Sequence, residues 1–114
     1  MVCGFMLSDA FWWVVLIRKN HPEWQRGRLN GVGGHVEPGE SIHVAMAREF
    51  SEETGVSTHP EDWQQFYHLR GDDWMVDFMT CRGLVDLAKT ITDESVCIVS
   101  VSEITPFNKA LIPN

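Results

Sequence analysis

Apolar residues run in short blocks through most of the chain and take up helical spacing in one stretch only. Val2–Leu7 and residues 11–18 are rich in aromatic and β-branched side chains and are separated by Ser8, Asp9 and Ala10, so they predict a hairpin. Residues 19–27 read as a loop, punctuated by Pro22 and Gly27. Residues 28–40 hold four glycines and a proline, a backbone made for unusual turns or for close approach to a ligand. Ile42, Ala45, Met46 and Phe50 then recur at helical spacing between a candidate N-cap, Ser41, and a candidate C-terminal stop, Gly55. The spacing predicts a helix over 41–54. Residues 63–70 and 74–80, joined across Gly71, Asp72 and Asp73, predict a second hairpin, and 95–101 a further strand. Strands on both sides of one strong helix indicate a mixed α/β sandwich, an α+β arrangement in one domain spanning 1–114.

Composition narrows the function classes. With 114 residues, 44% of them hydrophobic, the chain suits one core. A net charge of −7 argues against gripping a nucleic-acid duplex or an anionic membrane with a basic surface, so an anionic ligand needs a cation as intermediary. Cys3, Cys81 and Cys97 are odd in number and lack C-x-x-C spacing, which points to buried free thiols in a reducing cytosol. The apolar start is interrupted by Ser8 and Asp9, has no basic flank and falls short of the roughly 20 apolar residues of a membrane span, so neither a signal segment nor an anchor is expected.

The acidic residues of the helix raise a sharper question. Glu49, Glu52 and Glu53 stand at i, i+3 and i+4 and share one face, where each close like-charge pair costs about 0.2–0.5 kcal/mol. They also sit toward the helix C-terminus, which disfavours negative charge further. Arg48 offsets part of this through Glu52, but one arginine does not neutralise three glutamates. Mg²⁺ or Mn²⁺, which prefer oxygen ligands, turn the repulsion into binding. An ordinary solvated acidic face is the plain alternative.

The surrounding residues decide between these. Gly34, Glu40, Arg48, Glu49, Phe50, Glu52, Glu53, Gly55 and Val56 fill every fixed position of the pattern Gly, five residues, Glu, seven residues, Arg-Glu, apolar, any, Glu-Glu, any, Gly, apolar. Seven named positions match by chance about once in 10⁹ starting points. The chain resembles the Nudix hydrolase family, MutT-like enzymes that split a nucleoside diphosphate linked to another group.

That resemblance implies an α/β/α sandwich with a mixed sheet and one catalytic loop-helix-loop. It implies Glu52 and Glu53 as central metal ligands, Glu49 as a further ligand or the base, and the Gly33 and Gly34 carbonyls nearby. Glu40 supports the cluster and Arg48 orients it. Glu94, just before a strand, falls where some members carry a general base; a plain loop acid is the other reading. Residues 24–34 resemble the segment before the box in enzymes acting on oxidised purine nucleoside triphosphates, which puts Asn30 at a base-reading position and Trp24 at a base-stacking one. Asn30 before Gly31 also suits a turn, and Trp24 also suits covering the core. His35 replaces a common lysine, exchanging a fixed charge for one that titrates. The implied reaction is Mg²⁺- or Mn²⁺-dependent hydrolysis of a nucleoside triphosphate, ordinary or oxidised, to the monophosphate and pyrophosphate. Dinucleotide or nucleotide-sugar pyrophosphatases and a non-catalytic nucleotide-binding module are the alternatives. The final family helix is expected to be short or absent, leaving an apolar face that favours a homodimer. Phe11, Trp12, Trp13, Phe66 and Trp74 read as core or sheet-face packing. His21, His43, His59 and His68 show no zinc-like pairing.

Overall fold

The computed structural model describes residues 1–104; the expected short or absent final helix falls outside them. Seven strands form one mixed sheet: β1 (Val2–Leu7), β2 (Trp13–Arg18), β3 (Leu29–Asn30), β4 (Val32–Gly34), β5 (Gln64–Arg70), β6 (Met75–Arg82) and β7 (Ser95–Ser100). The main path runs β3-β2-β1-β6-β5, with β4 added to β1 and β7 to β2. β1 and β6 pair in parallel from Val2 opposite Asp77 to Leu7 opposite Arg82, while the other pairings are antiparallel.

β2 explains how one sheet supports packing on both sides. Val15 and Ile17 point into one core, and Val14 and Leu16 point into another, so alternate residues of a central strand bury opposite faces. The first core is closed by the helix α1 (Ile42–Thr54), which contributes Ala45, Met46, Ala47 and Phe50 at i, i+1, i+2 and i+5. Burying each of the large ones stabilises the fold by about 1.5–3 kcal/mol. Gly4 lets the helix come close: a Cβ there would lie 2.5 Å from the Met46 sulfur and 2.8 Å from the Trp63 ring. Trp63 in turn stacks obliquely on Phe50, with ring centroids 5.2 Å apart, and its indole N–H donates to Thr58.

The helix ends are set by local chemistry. The Ser41 hydroxyl accepts the Val44 N–H at 3.1 Å, and Gly55 closes the last turn at φ 76°, a left-handed conformation that glycine adopts without a Cβ penalty. Between β1 and β2 the expected hairpin is shorter than its sequence pattern. Ala10 and Phe11 take positive φ in a 3₁₀ turn, the Ser8 Oγ accepts the Trp13 N–H, and β2 starts at Trp13 rather than at 11.

All five aromatic residues assigned to core or sheet-face packing are exposed. Trp12 is 70% accessible, and Phe11, Trp13, Phe66 and Trp74 are each about half accessible. Phe11 and Trp12 precede the strand, and Arg82 lies over the Phe11 ring at 5.0 Å. Phe66 lies on β5, every residue of which is exposed, and meets Phe5 and Phe78 across the sheet face. Two of the thiols are buried as expected; Cys97 is only half-buried.

Candidate active site

The β1–β4 pairing carries the glycine loop to the start of the helix. Val2, Cys3 and Gly4 face Gly34, Gly33 and Val32, and a Cβ on Gly33 would collide with the Val2 carbonyl. Gly34 is open for a different reason. A Cβ there would lie 2.6 Å from the Glu49 carboxylate, so the glycine makes the room that Glu49 occupies.

Arg48 is the hub of the acidic face. Its Nε and Nη2 donate to the two Glu40 oxygens at 2.7 and 2.9 Å, a forked pair. Its Nη1 donates to Glu49 at 3.0 Å and to Glu52 at 3.3 Å, and Nη2 also reaches the His35 carbonyl. The i+4 contact to Glu52 is therefore present, but the strongest geometry goes to Glu40. Glu40 also accepts the Glu37 N–H at 2.8 Å. Arg48 first and this amide second hold the Glu40 carboxyl down at about 2, against an ordinary 4.5. Burial pushes the Glu49 carboxyl up, only partly opposed by Arg48, and the neighbouring Glu52 and Glu53 charges add to the rise. One cation thus serves three box glutamates.

Glu53 points elsewhere. It accepts the Thr92 hydroxyl at 2.9 Å, and the same hydroxyl accepts the Glu94 N–H at 3.2 Å. Glu94 is buried, and its carboxylate takes Lys19 Nζ at 3.1 Å, the Asn20 N–H at 2.7 Å and the His21 N–H at 3.3 Å. Burial alone would raise the Glu94 carboxyl; the Asn20 amide, Lys19 and the His21 amide outweigh it and leave it lowered. Lys19 and Thr92 carry no motif signal and were not legible as partners; only the chain reversal brings them to these acids.

A cavity of about 540 Å³ has Gly33, Glu53, Glu94, Lys19, Asn30 and Trp24 in its lining, while Glu40, Arg48, Glu49 and Glu52 lie outside that lining. The Asn30 Oδ1 accepts the Gly31 N–H at 2.8 Å and the Cys3 thiol at 3.7 Å, so its turn role and its place in the cavity coexist. Trp24 is exposed and does not cover the core. His35 lies apart, in an adjoining cavity of about 420 Å³ with Arg70, Asp72 and Asp73. Among the described residues no three acidic, histidine or cysteine side chains are preassembled around a cation position. The donors offered are nonetheless all oxygen, the type that Mg²⁺ takes.

The sequence matches the family profile of the NUDIX domain over residues 2–113. The chain belongs to the Nudix family. The fold agrees: a MutT structure described for Aliivibrio salmonicida and Vibrio cholerae superposes with a TM-score of 0.77 at 25% identity, covering 90% of this chain and 79% of that one. A MutT/nudix family protein of Enterococcus faecalis gives 0.75 at 24% identity over 87% of this chain and 42% of its own, a likeness of fold. In sequence, the NAD-capped RNA hydrolase NudC of Stutzerimonas stutzeri is 40% identical over 48 residues, 42% of this chain; the match spans 17% of that relative's length. No described helix of this Nudix chain is long and apolar enough to cross a membrane.

Proposed function

We propose that this chain is a Mg²⁺- or Mn²⁺-dependent pyrophosphohydrolase that cleaves a nucleoside triphosphate, ordinary or oxidised, to the monophosphate and pyrophosphate. The observation that carries the reading is the single cavity lined by a box glutamate, Glu53, together with Asn30 and Trp24. It puts candidate phosphate chemistry and candidate base recognition within one molecule's reach.

In this reading Glu49, Glu52 and Glu53, with the Gly33 and Gly34 carbonyls, hold the cation. When bound it neutralises phosphate charge and activates water for attack on phosphorus. Arg48 and Glu40 hold the acidic face in shape before the cation arrives. Asn30 offers donor and acceptor groups to a base edge, and Trp24 offers an indole face. Three donors already occupy Glu94, which favours a positioning role for it and leaves proton acceptance to the box glutamates. His35 lies in the adjoining cavity, outside the cavity that Glu53, Asn30 and Trp24 line.

That adjoining cavity favours a second reading, a dinucleotide or nucleotide-sugar pyrophosphatase, and the name of the NudC relative points the same way. The exposed Phe66 and Tyr67 support self-association as a homodimer, which light scattering over a dilution series checks. Free thiols are in keeping with a cytosolic setting. The deciding experiment is pyrophosphate and phosphate release from a panel of ordinary and oxidised nucleoside triphosphates, dinucleotides and nucleotide sugars with Mg²⁺ or Mn²⁺. Turnover of one triphosphate class is expected. Turnover of dinucleotides alone transfers the assignment to the second reading, and tight nucleotide binding without any turnover makes the chain a binding module.

A further inference from the structure

Trp74 stands immediately before β6 in the β5–β6 turn, and it is half exposed instead of packed. Its position is fixed from behind. A Cβ on Gly71 would collide with the indole, and the Gly71 N–H donates to the Trp74 carbonyl at 2.8 Å, so the absence of a side chain at 71 lets the ring fold over the turn. In that pose Trp74, with Met1, lines the 540 Å³ cavity and the 420 Å³ cavity alike.

Topology places it across the sheet from Trp24, the other exposed indole that lines the larger cavity. Trp24 comes from the β2–β3 connection and Trp74 from the β5–β6 connection, and β1 lies between those two halves of the sheet. Val76 and Phe78, which share one face of β6, line the cavity beside Trp74. Two exposed indoles reaching one cavity from opposite flanks, over an apolar floor, are suited to a flat aromatic ligand with a π-face on each side.

We propose that Trp74 is a substrate-binding residue that stacks on the nucleobase across from Trp24, making this site selective for ligands that carry a planar base. The inference rests on the nucleotide-hydrolase reading above and adds the residue that sorts its ligands.

The test is a binding titration of the Mg²⁺-loaded chain with a non-hydrolysable purine nucleoside triphosphate and, separately, with inorganic tripolyphosphate. Trp74→Ala is expected to weaken nucleotide binding by about tenfold or more and to leave tripolyphosphate binding unchanged, and Trp74→Phe, which keeps a ring, to restore most of the loss. In turnover the same variant raises KM with kcat nearly constant. Wild-type nucleotide affinity in Trp74→Ala, or equal weakening toward tripolyphosphate, overturns the stacking role. Wild-type hydrolysis that survives either of those results leaves the pyrophosphohydrolase reading standing, so the two fail separately.

Discussion

Two of the chain's acid centres are built on opposite plans. Around Glu94 one carboxylate meets an ammonium and two backbone amides; around Arg48 one guanidinium meets Glu40, Glu49 and Glu52. Burial acts on both. At Glu94 the surplus of donors wins and the carboxyl is lowered, whereas at Glu49 burial wins and the carboxyl is raised. A centre whose charges balance inside the protein has what it needs for stability. In the proposed function, a centre left with excess negative charge is the one that receives a cation from outside. Thr92 links the Glu94 centre to Glu53, the next glutamate on the helix, donating to Glu53 and accepting from the Glu94 N–H.

The largest effect should come from the unbalanced centre. Glu53→Gln or Glu52→Gln is expected to lower Mg²⁺-dependent hydrolysis by about two orders of magnitude or more, since charge neutralisation at phosphate contributes several kcal/mol to the transition state. The metal-free fold should be no less stable, because a repelling charge has gone. Calorimetry in chelator checks the second half. A variant that melts well below wild type would make the cluster structural and end the contrast.

The balanced centre should respond in the opposite way. Glu94→Ala strands Lys19 and two amides in a largely buried place and is expected to cost about 2–3 kcal/mol of stability, a fall in Tm of about 10 °C. Glu94→Gln, which keeps acceptor oxygen, should retain hydrolysis within a few-fold. If Glu94→Gln instead loses activity as deeply as Glu53→Gln, Glu94 is the general base and the assignment of proton acceptance to the helix is wrong.

Arg48 sharpens the comparison at a smaller scale. Lysine keeps the charge but not the fork that holds both Glu40 oxygens, so Arg48→Lys should reduce activity by about tenfold while changing stability little. Equal activity would show that charge alone is needed there.

The legible part of this chain was the part written in local spacing. The helix from its Ser41 cap to Gly55 follows from i, i+3 and i+4 apolar positions and from residues whose side chains or φ angles fit the ends. The strands β5, β6 and β7 were equally plain from alternation and turns. What stayed hidden depends on distant chain segments meeting. Lys19 and Glu94 are 75 residues apart, and nothing near either names the other. Trp63 gave no sign that it would be the buried indole, while Trp12 and Trp74, equally part of predicted strands, ended exposed. An aromatic residue in a strand pattern reports strand preference, and only the layers packed above the sheet determine whether it is covered.

The smallest effect is a slope with pH. Glu40 is lowered from 4.5 to about 2 by Arg48 and the Glu37 amide, so its pairing contributes stability that is fully present above about pH 4.5 and is lost as the pH falls through about 2. Glu49 has the opposite sign: a carboxyl raised by burial favours the fold when protonated, and that benefit disappears as the pH rises through its raised value. Comparing wild type with Glu40→Gln in chelator isolates the first slope, because Glu49 is present in both. The stability gap between them should be constant above pH 4.5 and close toward zero near pH 2. A gap unchanged down to pH 2 would mean that Arg48 holds Glu40 no more tightly in the folded chain than water does in the unfolded one, and that the guanidinium serves Glu49 and Glu52 instead.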